Sequence, residues 1–141
     1  MVALDPLEHG SQGGPAVTET IDRKALFEGF VDLMYRQRNV RAAFDRYVAV
    51  DYRQHNPGLP DGRDAARDAL ADLFADRTFE PQVVRILVDG DLCALHLRVR
   101  RDGVDNAAVV DLYRVNENLV VEHWDVIQPW PLTSANDHPM F

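Results

Sequence analysis

Apolar residues recur first with the period of a helix and then, from Phe79 onward, with the period of a strand. Phe27, Phe30, Val31, Met34 and Tyr35 fall on one face of a helix predicted over 20–38, with Thr20 placed to cap its start. Asn39 stands before a second, shorter helix whose stripe is Val40, Ala43, Phe44 and Tyr47. An extended piece over 50–56 breaks at Pro57, Gly58 and Pro60. Asp61 is then placed to cap a third helix over about 62–74, which buries Ala66, Ala69, Leu70, Leu73 and Phe74. Four strands follow, over 82–88, 92–101, 107–115 and 119–128, separated by Asp89-Gly90-Asp91, Asp102-Gly103 and Asn116-Glu117-Asn118. Three helices followed by a meandering antiparallel sheet predict an α+β domain, with the helices packed on one side of a curved sheet.

The 141 residues fit one domain with a real core, and no repeat or linker divides them. Residues 1–18, with Gly10, Gly13, Gly14 and Pro15 among polar neighbours, read as a disordered leader to a domain over 19–141. A net charge of -8 argues against nucleic-acid and anionic-membrane partners, which call for clustered Lys and Arg. No apolar run approaches the roughly 20 residues of a membrane helix, and the N-terminus lacks the pattern of a secretory signal. The lone Cys93 forms no internal disulfide and reads as a small buried apolar residue. Together these features predict a cytoplasmic protein.

Alternation along the strands groups the chemistry-bearing residues. His96 shares a face with Ala94 and Arg98, Asp111 with Val109 and Tyr113, and His123 with Asp125. If Arg101 opposes Asn106 and Val115 opposes Leu119, then His96 opposes Asp111, Asp111 opposes His123, and Val109 opposes Asp125. A slip of two residues keeps this row on one face, whereas a slip of one scatters it. The opposite face, with Cys93, Leu95, Leu97, Val99, Val110, Leu112, Val120, Trp124 and Val126, is more apolar. Pattern alone leaves open whether that face is the core under the helices or an outer face covered by a second subunit.

Four stretches carry a resemblance. They are Tyr52-Arg53-Gln54-His55-Asn56-Pro57, Asp61-Gly62-Arg63, the segment from Val109 to Val115, and Glu122-His123-Trp124-Asp125-Val126-Ile127-Gln128. As a set they resemble the SnoaL-like polyketide-cyclase branch of the NTF2-like superfamily, over about residues 20–141. The resemblance implies a cone: three N-terminal helices on a strongly curved antiparallel sheet, with a pocket inside and a homodimer formed through the outer sheet face. It favours an inward-facing His/Asp row. It also implies acid/base catalysis of an aldol-type ring closure without metal or organic cofactor, with Asp125 as the acid/base. Asp111 stands where the cyclases carry a histidine.

The candidate catalytic residues are therefore Asp125, His123, Asp111 and His96. A carboxylate in an apolar cone resists ionisation and can both take and return a proton, and a carboxylate fixes the tautomer of an imidazole. His55, Asn56, Tyr52, Tyr113, Tyr35 and Trp130 are the candidate substrate-binding residues, with His55 as the donor to a developing oxyanion. The structural alternatives are a salt bridge at the cone mouth for Asp125, a hydrogen-bonded His–Asp pair within the sheet, and a turn histidine at His55. The expected activity is a cofactor-free cyclase, isomerase or dehydratase acting on a small to mid-sized apolar carbonyl compound. A non-catalytic ligand-binding dimer, or a metal enzyme using the His/Asp cluster, are the alternatives.

Overall fold

The structure, a computed structural model, describes residues 22–141. The proposed leader over 1–18 and the cap at Thr20 lie outside the described residues. Helix α1 (Arg23–Val31) is instead capped by Asp22, whose Oδ1 accepts from the Ala25 N–H at 3.0 Å. It runs on into a π-helical turn, Asp32–Arg36, that ends where Arg38 takes a left-handed φ of 57°. Wide turns of this kind recur beside functional sites, and this one carries Met34 and Tyr35 into the interior.

Helix α2 (Val40–Tyr47) has the expected Asn39 cap, which accepts from the Ala42 N–H at 3.1 Å. Helix α3 (Arg63–Ala75) departs from expectation at its start. The residue preceding it is Gly62, at φ 87°, and Asp61 instead accepts from the Gln54 N–H at 2.9 Å. The loop is thereby tied back to the strand before it.

Among the described residues, five strands form one sheet in the order β1-β5-β4-β3-β2, where β1 is Val48–Gln54, β2 Phe79–Asp89, β3 Leu92–Arg101, β4 Val104–Asn116 and β5 Leu119–Pro129. β2 to β5 form the expected antiparallel meander. The extended piece before the Pro-rich break is a fifth strand that pairs with β5 in parallel, so the sheet is mixed. Each antiparallel pair carries a register shift, and such bulges bend and twist a sheet. The core lies in the concavity, where Phe27, Phe30, Phe44, Leu95, Val115 and Val120 are fully enclosed.

The registers explain which residues face inward. Asp102 (φ 49°) and Gly103 (φ 74°) make a two-residue hairpin turn, so Arg101 pairs with Val104 rather than with Asn106. Asn106 is then an extra residue, because Arg100 pairs with Asp105 while Val99 pairs with Ala107. The net slip from expectation is one residue: Leu95, not His96, lies opposite Asp111. His96 is thus on the outer face, where its Nδ1 meets Arg85 Nη1 at 2.9 Å. Between β4 and β5 the slip is two residues, with Asp111 opposite Asp125 and Tyr113 opposite His123. Asp111, His123 and Asp125 keep a common face, and it is the concave one. The concave face combines the apolar side of β3 with the His/Asp side of β4 and β5, so neither uniform-face alternative holds.

Candidate active site

β1 and the residues after it form one wall of the site. Alternation sends Tyr52, Gln54 and Asn56 toward the concave face and Arg53 and His55 away from it. β4 contributes Asp111 and Tyr113, β5 contributes His123 and Asp125, and the π-helical turn contributes Tyr35. These residues close one end of a cavity of about 330 Å³. Its walls are mostly apolar, including Leu70, Phe74, Leu97, Val99, Val109 and Ile127, and Arg101 and Asn106 lie on its rim.

A continuous hydrogen-bonded network ties the polar end together. The Asn56 N–H donates to Gln54 Oε1 at 2.9 Å, which fixes the Gln54 amide with its oxygen toward that N–H. The Gln54 Nε2 amide then donates to the Tyr52 hydroxyl at 2.9 Å. His123 Nδ1 lies 2.8 Å from the same Gln54 Oε1 and must donate to it, because that oxygen has no proton to give. His123 Nε2 faces Asp111 Oδ1 at 3.2 Å. Tyr35 donates to Asp111 Oδ2 at 2.6 Å and so accepts from the Tyr113 hydroxyl at 2.7 Å. His123 is thus held between two oxygens, with Nδ1 on Gln54 Oε1 and Nε2 facing Asp111 Oδ1. Asp125, the least buried of the three, accepts from the Asn56 side-chain amide at 2.5 Å.

Burial sets the character of the phenols. It pushes Tyr35 and Tyr113 well above the ordinary tyrosine range, reinforced by the Asp111 charge, and it raises Tyr52 in the same way. All three are neutral phenols at any physiological pH. Burial also pushes the Cys93 thiol up to about 11, in keeping with a small apolar core residue.

Asp111, His123 and Asp125 offer ligand atoms that all lie within 4.8 Å of one another. They are the residues that could hold a divalent metal, with Gln54, Tyr35 and Asn56 as the groups that orient them.

Of the candidate residues, the fold thus gathers Asp125, His123, Asp111, Asn56, Tyr52, Tyr113 and Tyr35 around one cavity and leaves three outside. His96 is on the outer face for the register reason above. His55 also points outward: it stacks on Trp124 with ring centroids 4.9 Å apart, and its Nε2 lies 2.8 Å from Glu122 Oε1. Trp130 stacks on Phe141 at 5.6 Å, beyond the cavity lining. Two residues escaped the sequence reading. Gln54 organises the network, and its place two residues after Tyr52 was the available signal. Glu122 is a buried outer-face carboxylate, held below the usual glutamate range chiefly by the His55 hydrogen bond and further by Arg53 and Arg114.

Among the described residues, a curved mixed sheet wrapped on three helices has the architecture of the NTF2-like cone fold. The profile of the SnoaL-like domain matches residues 27–123, and the chain belongs to that family. Solved structures agree on the fold. An NTF2-like protein of unknown function from Cytophaga hutchinsonii superposes with a TM-score of 0.63 at 15% identity, covering 79% of this chain and 95% of the other. A proposed polyketide cyclase from Acidithiobacillus ferrooxidans gives 0.59 at 19% identity, covering 79% and 91%. A proposed isomerase of the SnoaL-like family from Agrobacterium tumefaciens gives 0.60 at 12% identity, covering 74% and 96%. No curated protein matches the sequence. Among the described residues, no helix is long and apolar enough to cross a membrane.

Proposed function

We propose that this chain is an acid/base enzyme, working without metal or organic cofactor, that moves a proton on a small, largely apolar carbonyl compound in an aldol-type cyclisation, an isomerisation or a dehydration. One observation carries the reading: Asp111, His123 and Asp125 converge within 4.8 Å at the polar end of an otherwise apolar cavity. Asp125 is the proton-moving group, because it faces the cavity and, among the described residues, engages only the Asn56 amide. The Asp111–His123 pair stands beside it, and Tyr35, Tyr113 and Gln54 fix its geometry. A volume of about 330 Å³ is at the small end of the roughly 300–1,000 Å³ usual for small-molecule sites, which favours a compact substrate.

Proton abstraction next to a carbonyl is tested without knowing the substrate. A panel of compact ketones and enones is incubated with the protein in D₂O, and exchange of the α-hydrogens is followed by NMR. The expected result is exchange of at least one compound class, slowed about 100-fold or more by Asp125→Asn, the usual scale for a positioned general base. Exchange unchanged by Asp125→Asn rules the role out. Ligand binding that survives this substitution, with no exchange by the wild type, favours a binding module instead.

A metal-dependent enzyme is a second reading, favoured by the three ligand atoms and by a His123 Nε2 aimed at a carboxylate. Elemental analysis of the purified protein decides between the two. The outer sheet face, with Val110, Leu112, Trp124 and Val126, is the surface we assign to a homodimer, since Val126 is 66% exposed there. Sedimentation of the wild type and of Val126→Glu measures it. Cytoplasmic residence stays part of the proposal.

A further inference from the structure

His55, the oxyanion donor expected from the sequence, is turned by the fold to the outer face, against Trp124 and Glu122. The cavity must find its donor elsewhere, and of the hydroxyls that line it one keeps a proton with no partner among the described residues. The Tyr35 proton goes to Asp111 and the Tyr113 proton goes to Tyr35. Tyr52 is different. Its oxygen accepts from Gln54 Nε2, and that direction is not reversible, because the Asn56 N–H locks the amide with Nε2 toward the phenol. The Tyr52 proton therefore has no acceptor among the described residues, although the side chain is 2% exposed and lines the cavity. A buried donor without a partner costs about 1–3 kcal/mol, and a ligand oxygen relieves it.

We propose that Tyr52 donates a hydrogen bond to an oxygen of the bound ligand, so that the site selects compounds carrying a carbonyl, enolate or phenolate oxygen. The proposal rests on the acid/base reading and adds the group that receives the developing negative charge while Asp125 takes the proton. The Gln54 amide strengthens the donor, since a phenol that accepts a hydrogen bond becomes a better donor. Burial holds the phenol neutral, so it keeps its proton to donate.

The test uses two probes of nearly the same shape, 2-naphthol and naphthalene, titrated into the full-length wild type and Tyr52→Phe by calorimetry and fluorescence. The expected result is that the wild type prefers the naphthol and that Tyr52→Phe lowers its affinity about 10-fold, while naphthalene binding stays within 2-fold; the 10-fold loss is the scale of one such hydrogen bond. Equal losses for both probes, which reduce Tyr52 to packing, overturn the proposal. So does a wild type that does not distinguish the probes, including failure to bind either. The proton-exchange assay separates this from the catalytic reading. A Tyr52-dependent preference for the naphthol without Asp125-dependent exchange keeps the donor and removes the catalysis. Exchange that depends on Asp125 and is indifferent to Tyr52→Phe does the reverse.

Discussion

Replacing Tyr35 by phenylalanine removes the middle link of the chain that runs from Tyr113 through Tyr35 to Asp111. The ring stays, with its edge-on contact to Phe74 at 5.7 Å, so no cavity opens. Two hydrogen bonds go, at 2.6 and 2.7 Å. Losing a donor to a charged acceptor costs about 1.5–3 kcal/mol, and leaving the Tyr113 hydroxyl without an acceptor adds about 1 kcal/mol. The expected loss for Tyr35→Phe is therefore roughly 2.5–4 kcal/mol. At about 3–6 °C per kcal/mol for a domain of this size, Tm falls on the order of 10 °C. Tyr113→Phe removes only the outer donor and leaves Tyr35 bonded to Asp111, so it costs about 0.5–1.5 kcal/mol. The double variant loses less than the sum, because the hydroxyl stranded by the first change is absent in the second. Urea denaturation followed by circular dichroism measures all three. Equal losses from the two single variants, or strict additivity in the double, refute the assigned order of the chain.

Two further outcomes are expected. Glu122 is held below the usual glutamate range, so the stability it lends is present above its ordinary pKa of about 4.3 and is lost as pH falls through the lower folded value. Glu122→Gln should flatten the loss of stability between about pH 5 and pH 3, measured by urea melts across that range. His96→Ala, on the outer face beside Arg85, should change stability by no more than about 0.5 kcal/mol and leave naphthol affinity and proton exchange unaltered; an effect on either would return His96 to the cavity.

The helices were legible because their buried stripes repeat at helical spacing and because Asn39 is a strong cap. The face shared by Asp111, His123 and Asp125 survived because its register error was two residues, and a step of two preserves the side. The single extra residue at Asn106 was not legible, since polar residues on both sides of the turn suit either pairing, and it moved His96 outward. His55 is another matter. Its neighbours Tyr52, Gln54 and Asn56 alternate inward, and that parity already excluded His55 from the cavity. The parallel pairing of β1 with β5 lies beyond local pattern, because only the assembled sheet brings strands so far apart in sequence together.

That pairing also bears on how the protein reaches its working form. The links from Gln54 to His123 and from Asn56 to Asp125 each join residues 69 positions apart, and the His55 N–H closes the same seam on the His123 carbonyl at 3.0 Å. Contacts of such separation carry a large loop-closure entropy and slow the folding of chains that depend on them. β5 is made after β1 to β4, so a nascent chain has helices, a cavity wall and Asp111 before it has His123 or a seated Gln54. The polar end of the cavity thus exists only in a chain that has joined β1 to β5.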